Sequence, residues 1–220
     1  MMNKLMILMM KIYFVIASNC PSIKLQTNPP VNLTEYAKHT WYIQQQQING
    51  YQPESDLYCV TATYKFANNY KVTFFNGTVL SVYNYANHLK INGNHTNNNT
   101  VLCARQINSS SPEKLLVAPC FLPNIFGGPY WIVYAGPDPS NYQYAIVSGG
   151  QPTLRINNNT CTTKLTGVIN TGLWIFSRNR TLDYNTTTFL RNILRKRGIS
   201  TDKLLNVSQH GCNYTGSFIK

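Results

Sequence analysis

Charge is what this sequence lacks. Only 12% of its 220 residues are Asp, Glu, Lys or Arg, roughly half the share of about 25% usual in soluble domains. The shortage falls on the acids: 7 Asp+Glu stand against 19 Lys+Arg, so the formal charge of +12 reflects missing carboxylates more than concentrated bases. A chain that binds nucleic acid usually gathers Lys and Arg into stripes, whereas the balance here comes from missing acids, so nucleic acid is not an expected partner. Beyond the N-terminus no apolar run approaches the ~20 residues of a spanning helix. His39, His88, His95 and His210 are scattered, no Cys-x-x-Cys occurs, and neither a metal nor a cofactor is expected. Ser148-Gly149-Gly150 lacks the nucleophile-elbow pattern. With 43% hydrophobic and 12% aromatic residues the chain can nonetheless bury a core, and its length suits one domain.

The first residues, Met1-Met2-Asn3-Lys4, lead into an apolar stretch from Leu5 to Ile16 broken by Lys11. Small residues follow at Ala17 and Ser18. This reads as a secretory signal peptide over 1–19, cleaved near Ala17 to Asn19, with an uncleaved N-terminal membrane anchor as the alternative. Behind such a leader, an even set of six cysteines, Cys20, Cys59, Cys103, Cys120, Cys161 and Cys212, favours three disulfides, whose connectivity the count alone does not fix. Asn-x-Ser/Thr acceptors for N-glycans occur at Asn32, Asn76, Asn94, Asn98, Asn108, Asn158, Asn179, Asn185, Asn206 and Asn213. Sugars there would supply the hydration that scarce charges do not.

Short strands dominate the middle of the chain. Leu57 to Phe66 alternates, with Val60, Ala62, Tyr64 and Phe66 on one face and Thr61, Thr63 and Lys65 on the other, as a half-buried antiparallel strand does. Ala67-Asn68-Asn69 is read as the turn into a second strand carrying Tyr70, Val72 and Phe74 on the same face. Further strands are expected at Trp41 to Ile48, Val79 to Tyr85, Val101 to Gln106, Lys114 to Ala118, Tyr130 to Ala135, Tyr142 to Ser148 and Leu173 to Ser177. Such a series means a barrel or a sandwich. One helix follows: Asn185 is the expected cap, Phe189, Leu190, Ile193 and Leu194 form its apolar stripe, and Arg195, Lys196 and Arg197 at its C-terminal end read as a solvated face complementing the helix dipole. The aromatic and aliphatic face of the first hairpin either fills a solid core or lines a pocket, and alternation does not choose between them.

The motifs do choose. Thr40-Trp41-Tyr42 at the start of the first strand resembles the Gly-x-Trp signature of the lipocalin family, with His39 where the motif glycine stands. Tyr142-Gln143-Tyr144-Ala145-Ile146-Val147-Ser148-Gly149 resembles the family's second signature, approached here by Pro137-Asp138-Pro139. Leu173-Trp174-Ile175-Phe176-Ser177-Arg178 resembles the third. The closest likeness is to the branch holding apolipoprotein D and the bacterial outer-membrane and chloroplastic lipocalins. It implies an all-β fold, an eight-stranded antiparallel up-and-down barrel with one C-terminal helix packed on its outside. On that likeness residues 20–220 form one domain, with an N-terminal arm at 20–38, the barrel at 39–180, and the helix and tail at 185–220. It further implies that Cys59 pairs with Cys212, Cys20 with Cys161 and Cys103 with Cys120. Trp41 and Arg178 become a structural pair at the closed end, the arginine lying across the indole.

The expected activity is therefore binding or transport of a small hydrophobic molecule, such as a fatty acid, sterol, carotenoid or retinoid, by a secreted glycoprotein. The candidate cavity residues are Val60, Ala62, Tyr64, Phe66, Tyr70, Val72, Phe74 and Trp174. Catalysis is not expected: the family's thiol-dependent isomerase needs an unpaired cysteine, and its de-epoxidase needs inward-facing acids that this chain does not pair. The second reading is a glycosylated, surface-displayed interaction protein with the barrel as scaffold. Peripheral contact with a membrane is left open, and the oligomeric state is not legible.

Overall fold

The computed structural model describes residues 20–67, 72, 75–96, 100–157 and 160–218. The expected leader over 1–19, together with Tyr70, Phe74, Asn98 and Asn158, lies outside them.

A short helix α1 (Leu33–Tyr36) forms because the Asn32 side chain accepts from the free amides of Thr34 and Glu35. The barrel strands are β1 (Trp41–Gln47), β2 (Tyr58–Phe66), β3 (Val79–Asn87), β4 (Val101–Gln106), β5 (Lys114–Pro119), β6 (Gly128–Asp138) and β7 (Asn141–Ser148). A two-stranded ribbon of β8 (Leu154–Arg155) and β9 (Cys161–Thr162) follows, then β10 (Leu173–Ser177), helix α2 (Tyr184–Lys196) and β11 (Leu204–Asn206). Neighbours pair antiparallel from β1 to β7, β10 joins β7, and β10 also pairs with β1, so eight strands close on themselves. Closure leaves no free edge among them.

The inner faces of these strands carry one core cluster, among them Trp41, Ile43, Val60, Ala62, Leu80, Val82, Ile132 and Phe176. A second cluster lies outside the wall, where Leu190 and Leu194 of α2 pack on Val133, Ile146, Leu173 and Ile175. The helix starts two residues earlier than the sequence reading placed it. Asp183, not Asn185, is the cap, its carboxylate accepting the Thr186 amide at 2.9 Å and the Thr186 hydroxyl at 2.6 Å. The basic end also differs from the expected solvated face. Arg195 and Lys196 are exposed, whereas Arg197 turns back to donate to Val133 O and to Lys24 O, pinning the N-terminal arm to the wall.

Of the strand expected at Tyr70 to Phe74 only Val72 is described, and it does not lie opposite β2. That place belongs to β3, with Ala62 opposite Asn84 and Phe66 opposite Leu80. Val72 makes an isolated bridge to Phe75 and packs with Val79, Cys103 and Cys120, which sit on the outer face of β3 to β5. Register explains the difference. β1 begins at Trp41, opposite Ala62, so β2 residues beyond Tyr64 run past the barrel floor with no facing wall. Phe66 accordingly is 37% exposed.

The C-terminal tail repairs a gap in the wall. β1 and β2 pair directly only at Trp41↔Ala62 and Tyr42↔Thr61. Beyond that β11 pairs with Gln45 to Gln47, Cys59 N donates to Ser208 O at 2.8 Å, and the Gln209 amide donates to both Ile43 O and Val60 O at 2.7 Å. The Cys59–Cys212 disulfide holds this insertion in place, Cys20–Cys161 ties the N-terminal arm to β9, and Cys103–Cys120 ties β4 to the loop after β5.

Candidate functional site

The floor of the barrel is assembled from the three signature segments. Trp41 is fully buried and donates its indole N–H to Tyr36 O at 2.9 Å. The Arg178 guanidinium stacks 3.4 Å from the indole centroid. It donates to Glu35 O at 2.9 Å, to Tyr36 O at 3.0 Å and to His39 O, so one side chain closes α1 and the β1 entrance together. Residue 39 enters this lock through its carbonyl alone, which is why histidine can replace the motif glycine there. Tyr142, from the second signature, accepts the Asn32 amide at 3.0 Å and so steadies the cap of α1. Desolvation holds the Arg178 pKa down, to about 10, which leaves it charged at neutral pH.

Above this floor lies a cavity of about 360 Å³, within the roughly 300–1,000 Å³ of small-molecule sites. Of the residues expected to line it, Val60, Ala62, Tyr64 and Trp174 do. Phe66 and Val72 do not, for the register reasons above, and Tyr70 and Phe74 are not described. The other walls come from Ile43 of β1, Val82 of β3, Leu102 of β4, Val117 of β5, Tyr130 of β6 and Phe176 of β10. These were legible as strand residues but not as lining, because alternation gives a face only after one residue of each strand is anchored inside. Tyr51, Phe126 and Val168, on the loops after β1, β5 and β9, stand around the mouth and are 59%, 56% and 60% exposed. No sequence signal marked them.

Three phenols form the polar base of the cavity. Tyr130 OH lies 2.6 Å from Tyr36 OH and 2.8 Å from Tyr64 OH. Burial raises the pKa of all three, so they remain neutral hydroxyls able to donate and accept. Tyr51 also borders the cavity, where burial raises its phenol pKa and it pushes that of Tyr64 upward. No lining side chain is charged among the described residues. The histidines and acids likewise form no cluster of metal-ligand type among the described residues. All six cysteines are paired. Eight of the expected glycan acceptors are described, at Asn32, Asn76, Asn94, Asn108, Asn179, Asn185, Asn206 and Asn213, and each is exposed. No helix among the described residues is long and apolar enough to cross a membrane.

No protein-family profile matches the sequence, and no characterised protein matches it significantly by sequence. Solved structures are similar in shape. Apocrustacyanin C1 matches with a TM-score of 0.55 at 17% identity, over 90% of this chain and 93% of that one. Lobster apocrustacyanin A1 gives 0.54 at 18%, over 90% and 93%. H1 crustacyanin from the lobster Homarus americanus gives 0.51 at 15%, over 90% and 92%. At such identities the likeness concerns the fold. With the closed barrel of eight antiparallel strands, the outer helix and the Trp41–Arg178 lock, these matches establish that this chain has the lipocalin fold.

Proposed function

We propose that this protein is a secreted, glycosylated carrier that holds one small hydrophobic molecule inside its barrel. The cavity above the Tyr36–Tyr130–Tyr64 base carries the reading: its walls are mainly aliphatic and aromatic, with the polar side chains of Gln46, Gln52, Thr61, Asn84 and Thr171 set among them, and Tyr51, Phe126 and Val168 stand at its mouth. Burying about 300 Å² of a lipid's apolar surface at about 25 cal/mol per Å² yields about 7.5 kcal/mol, which is low-micromolar binding. Val60, Ala62, Tyr64 and Trp174 are the ligand-contacting residues of this proposal, and Trp41 with Arg178 keeps the floor rigid beneath them. Secretion rests on the leader-like residues before Cys20 and on three disulfides, which persist in oxidising compartments. The proposed role is binding without catalysis, which the pairing of every thiol supports.

Organic extraction of the protein purified from a secreting host, followed by mass spectrometry, tests the reading. A stoichiometric apolar compound is expected. Protein that yields none, and that takes up none when offered hydrophobic compounds, would favour the glycosylated surface scaffold instead.

A further inference from the structure

Outside the barrel lies a groove of about 450 Å³ between the start of α2 and the tail. Three glycan-acceptor triplets converge on it. Thr181 and Thr187, the hydroxyl residues of the triplets at Asn179 and Asn185, line it, and so do both Asn206 and its own Ser208. Among the described acceptor asparagines only Asn206 itself borders the groove. A chain of donors settles how its carboxamide is turned. Arg191 can only donate, and it gives one N–H to Gln45 Oε1 at 2.9 Å and another to Thr201 O at 3.1 Å. Gln45 is left with its amide N–H to offer, and donates it to Asn206 Oδ1 at 2.7 Å. Asn206 thus presents its oxygen to the protein and keeps Nδ2, the nitrogen that carries an N-glycan, as the free end. A sugar there displaces no hydrogen bond of the fold. Ile91, Leu182 and Val207 give the groove apolar surface for the C–H face of a pyranose, and Thr181, Thr187 and His210 bring hydrogen-bonding groups to it. The tail insertion borders the same groove: Val207 N donates to Gln44 O at 2.9 Å, and Gln209 bridges Ile43 O and Val60 O.

We propose that Asn206 carries an N-glycan whose first N-acetylglucosamine lies in this groove and braces the tail insertion. It rests on the glycoprotein reading above and gives one acceptor a structural role, a sugar built into the barrel wall where the others coat the surface. Attachment forms a bond from Nδ2 to the anomeric carbon of the sugar and breaks that carbon's bond to the diphosphate of a lipid-linked oligosaccharide donor. Nδ2 releases one of its two protons in the exchange, and the hydrogen bond from Gln45 to Oδ1 persists.

The test uses the full chain secreted by a glycosylating eukaryotic host. Occupancy is read by glycopeptide mass spectrometry, and accessibility by peptide-N-glycosidase digestion of the native and of the reduced, urea-unfolded protein. Asn206 should be occupied, and its glycan should survive a native digestion that strips the other occupied acceptors, yet be released after unfolding. The hydrogen bonds and covered surface of one seated sugar correspond to about tenfold in a local opening equilibrium. Ser208→Ala removes the acceptor and leaves the Gln45–Asn206 contact, so amide exchange across Leu204–Asn206 should rise about tenfold. Ser208→Thr keeps the acceptor and should exchange at the parent rate. Asn206 unmodified while other acceptors carry sugar, a glycan released from the native protein as readily as theirs, or unchanged exchange in Ser208→Ala overturns the proposal and leaves the glycoprotein reading intact. Absence of sugar at every acceptor removes the glycoprotein reading itself. The digestion needs no variant, so it stands even if Ser208→Ala does not fold.

Discussion

Replacing Arg178 with alanine removes the keystone of the closed end, and the structure sets the size of the loss. The guanidinium sits 3.4 Å from the Trp41 ring centroid, a cation–π contact of about 1 kcal/mol when partly desolvated. Its donors serve the carbonyls of Glu35, Tyr36 and His39, and charged hydrogen bonds of this kind are worth about 1.5 kcal/mol or more each. The cost of desolvating the cation, visible in its depressed pKa, offsets part of this. A net destabilisation of about 4 kcal/mol follows. With a slope of about 2 kcal/mol per molar urea, the midpoint should fall by about 2 M with the disulfides intact. Arg178→Lys keeps the charge but not the planar fork, and should lose about half as much. A midpoint for Arg178→Ala within about 0.3 M of the parent would refute the keystone reasoning.

Three further outcomes are expected. The double substitution Cys59→Ser with Cys212→Ser opens a bridge spanning 153 residues, and chain entropy places its loss at about 4–5 kcal/mol; equal midpoints in urea for the variant and the parent would count against the tail as a wall element. Tyr36, Tyr64 and Tyr130 have folded-state pKa values raised above the ordinary 10.0, so their contribution is complete below pH 10 and is lost as pH climbs beyond it, because only the unfolded state releases these protons. Three such groups give a slope of about 4 kcal/mol per pH unit, and alkaline titration of stability should be visibly flatter in Tyr130→Phe. Arg197→Ala should free the N-terminal arm, held at Lys24 O, from the wall at Val133 O, raising amide exchange around Lys24 while the barrel strands stay protected.

The parts of this protein legible in its sequence are those where neighbours along the chain carry the information. β4 and β10 match their expected bounds because alternation and β-branched content act locally. Trp41 and Arg178 were found only through the order of three motifs, since nothing local joins residues 137 positions apart. Phe66 and Val72 show where period-two reasoning fails: it assigns a face but not the length of the opposite wall, and β1 is too short to cover Phe66. Gln46 gave no signal at all. A run of four glutamines looks uniformly polar, and its division into three satisfied amides and one inner unsatisfied acceptor depends on what β11, β9, the segment before α2 and the loop at Gln52 bring to it. The cavity mouth was hidden for the same reason, because Tyr51, Phe126 and Val168 sit on loops whose paths follow from packing.

Occupation of the barrel by a ligand is tested most directly by titrating the neutral fluorophore N-phenyl-1-naphthylamine into the delipidated protein and into Val117→Trp, whose indole would fill the cavity from the β5 wall. The account predicts one saturable micromolar site in the parent and none in a Val117→Trp protein of unchanged urea midpoint. Saturable binding of equal strength in both proteins, or none in either, would contradict it.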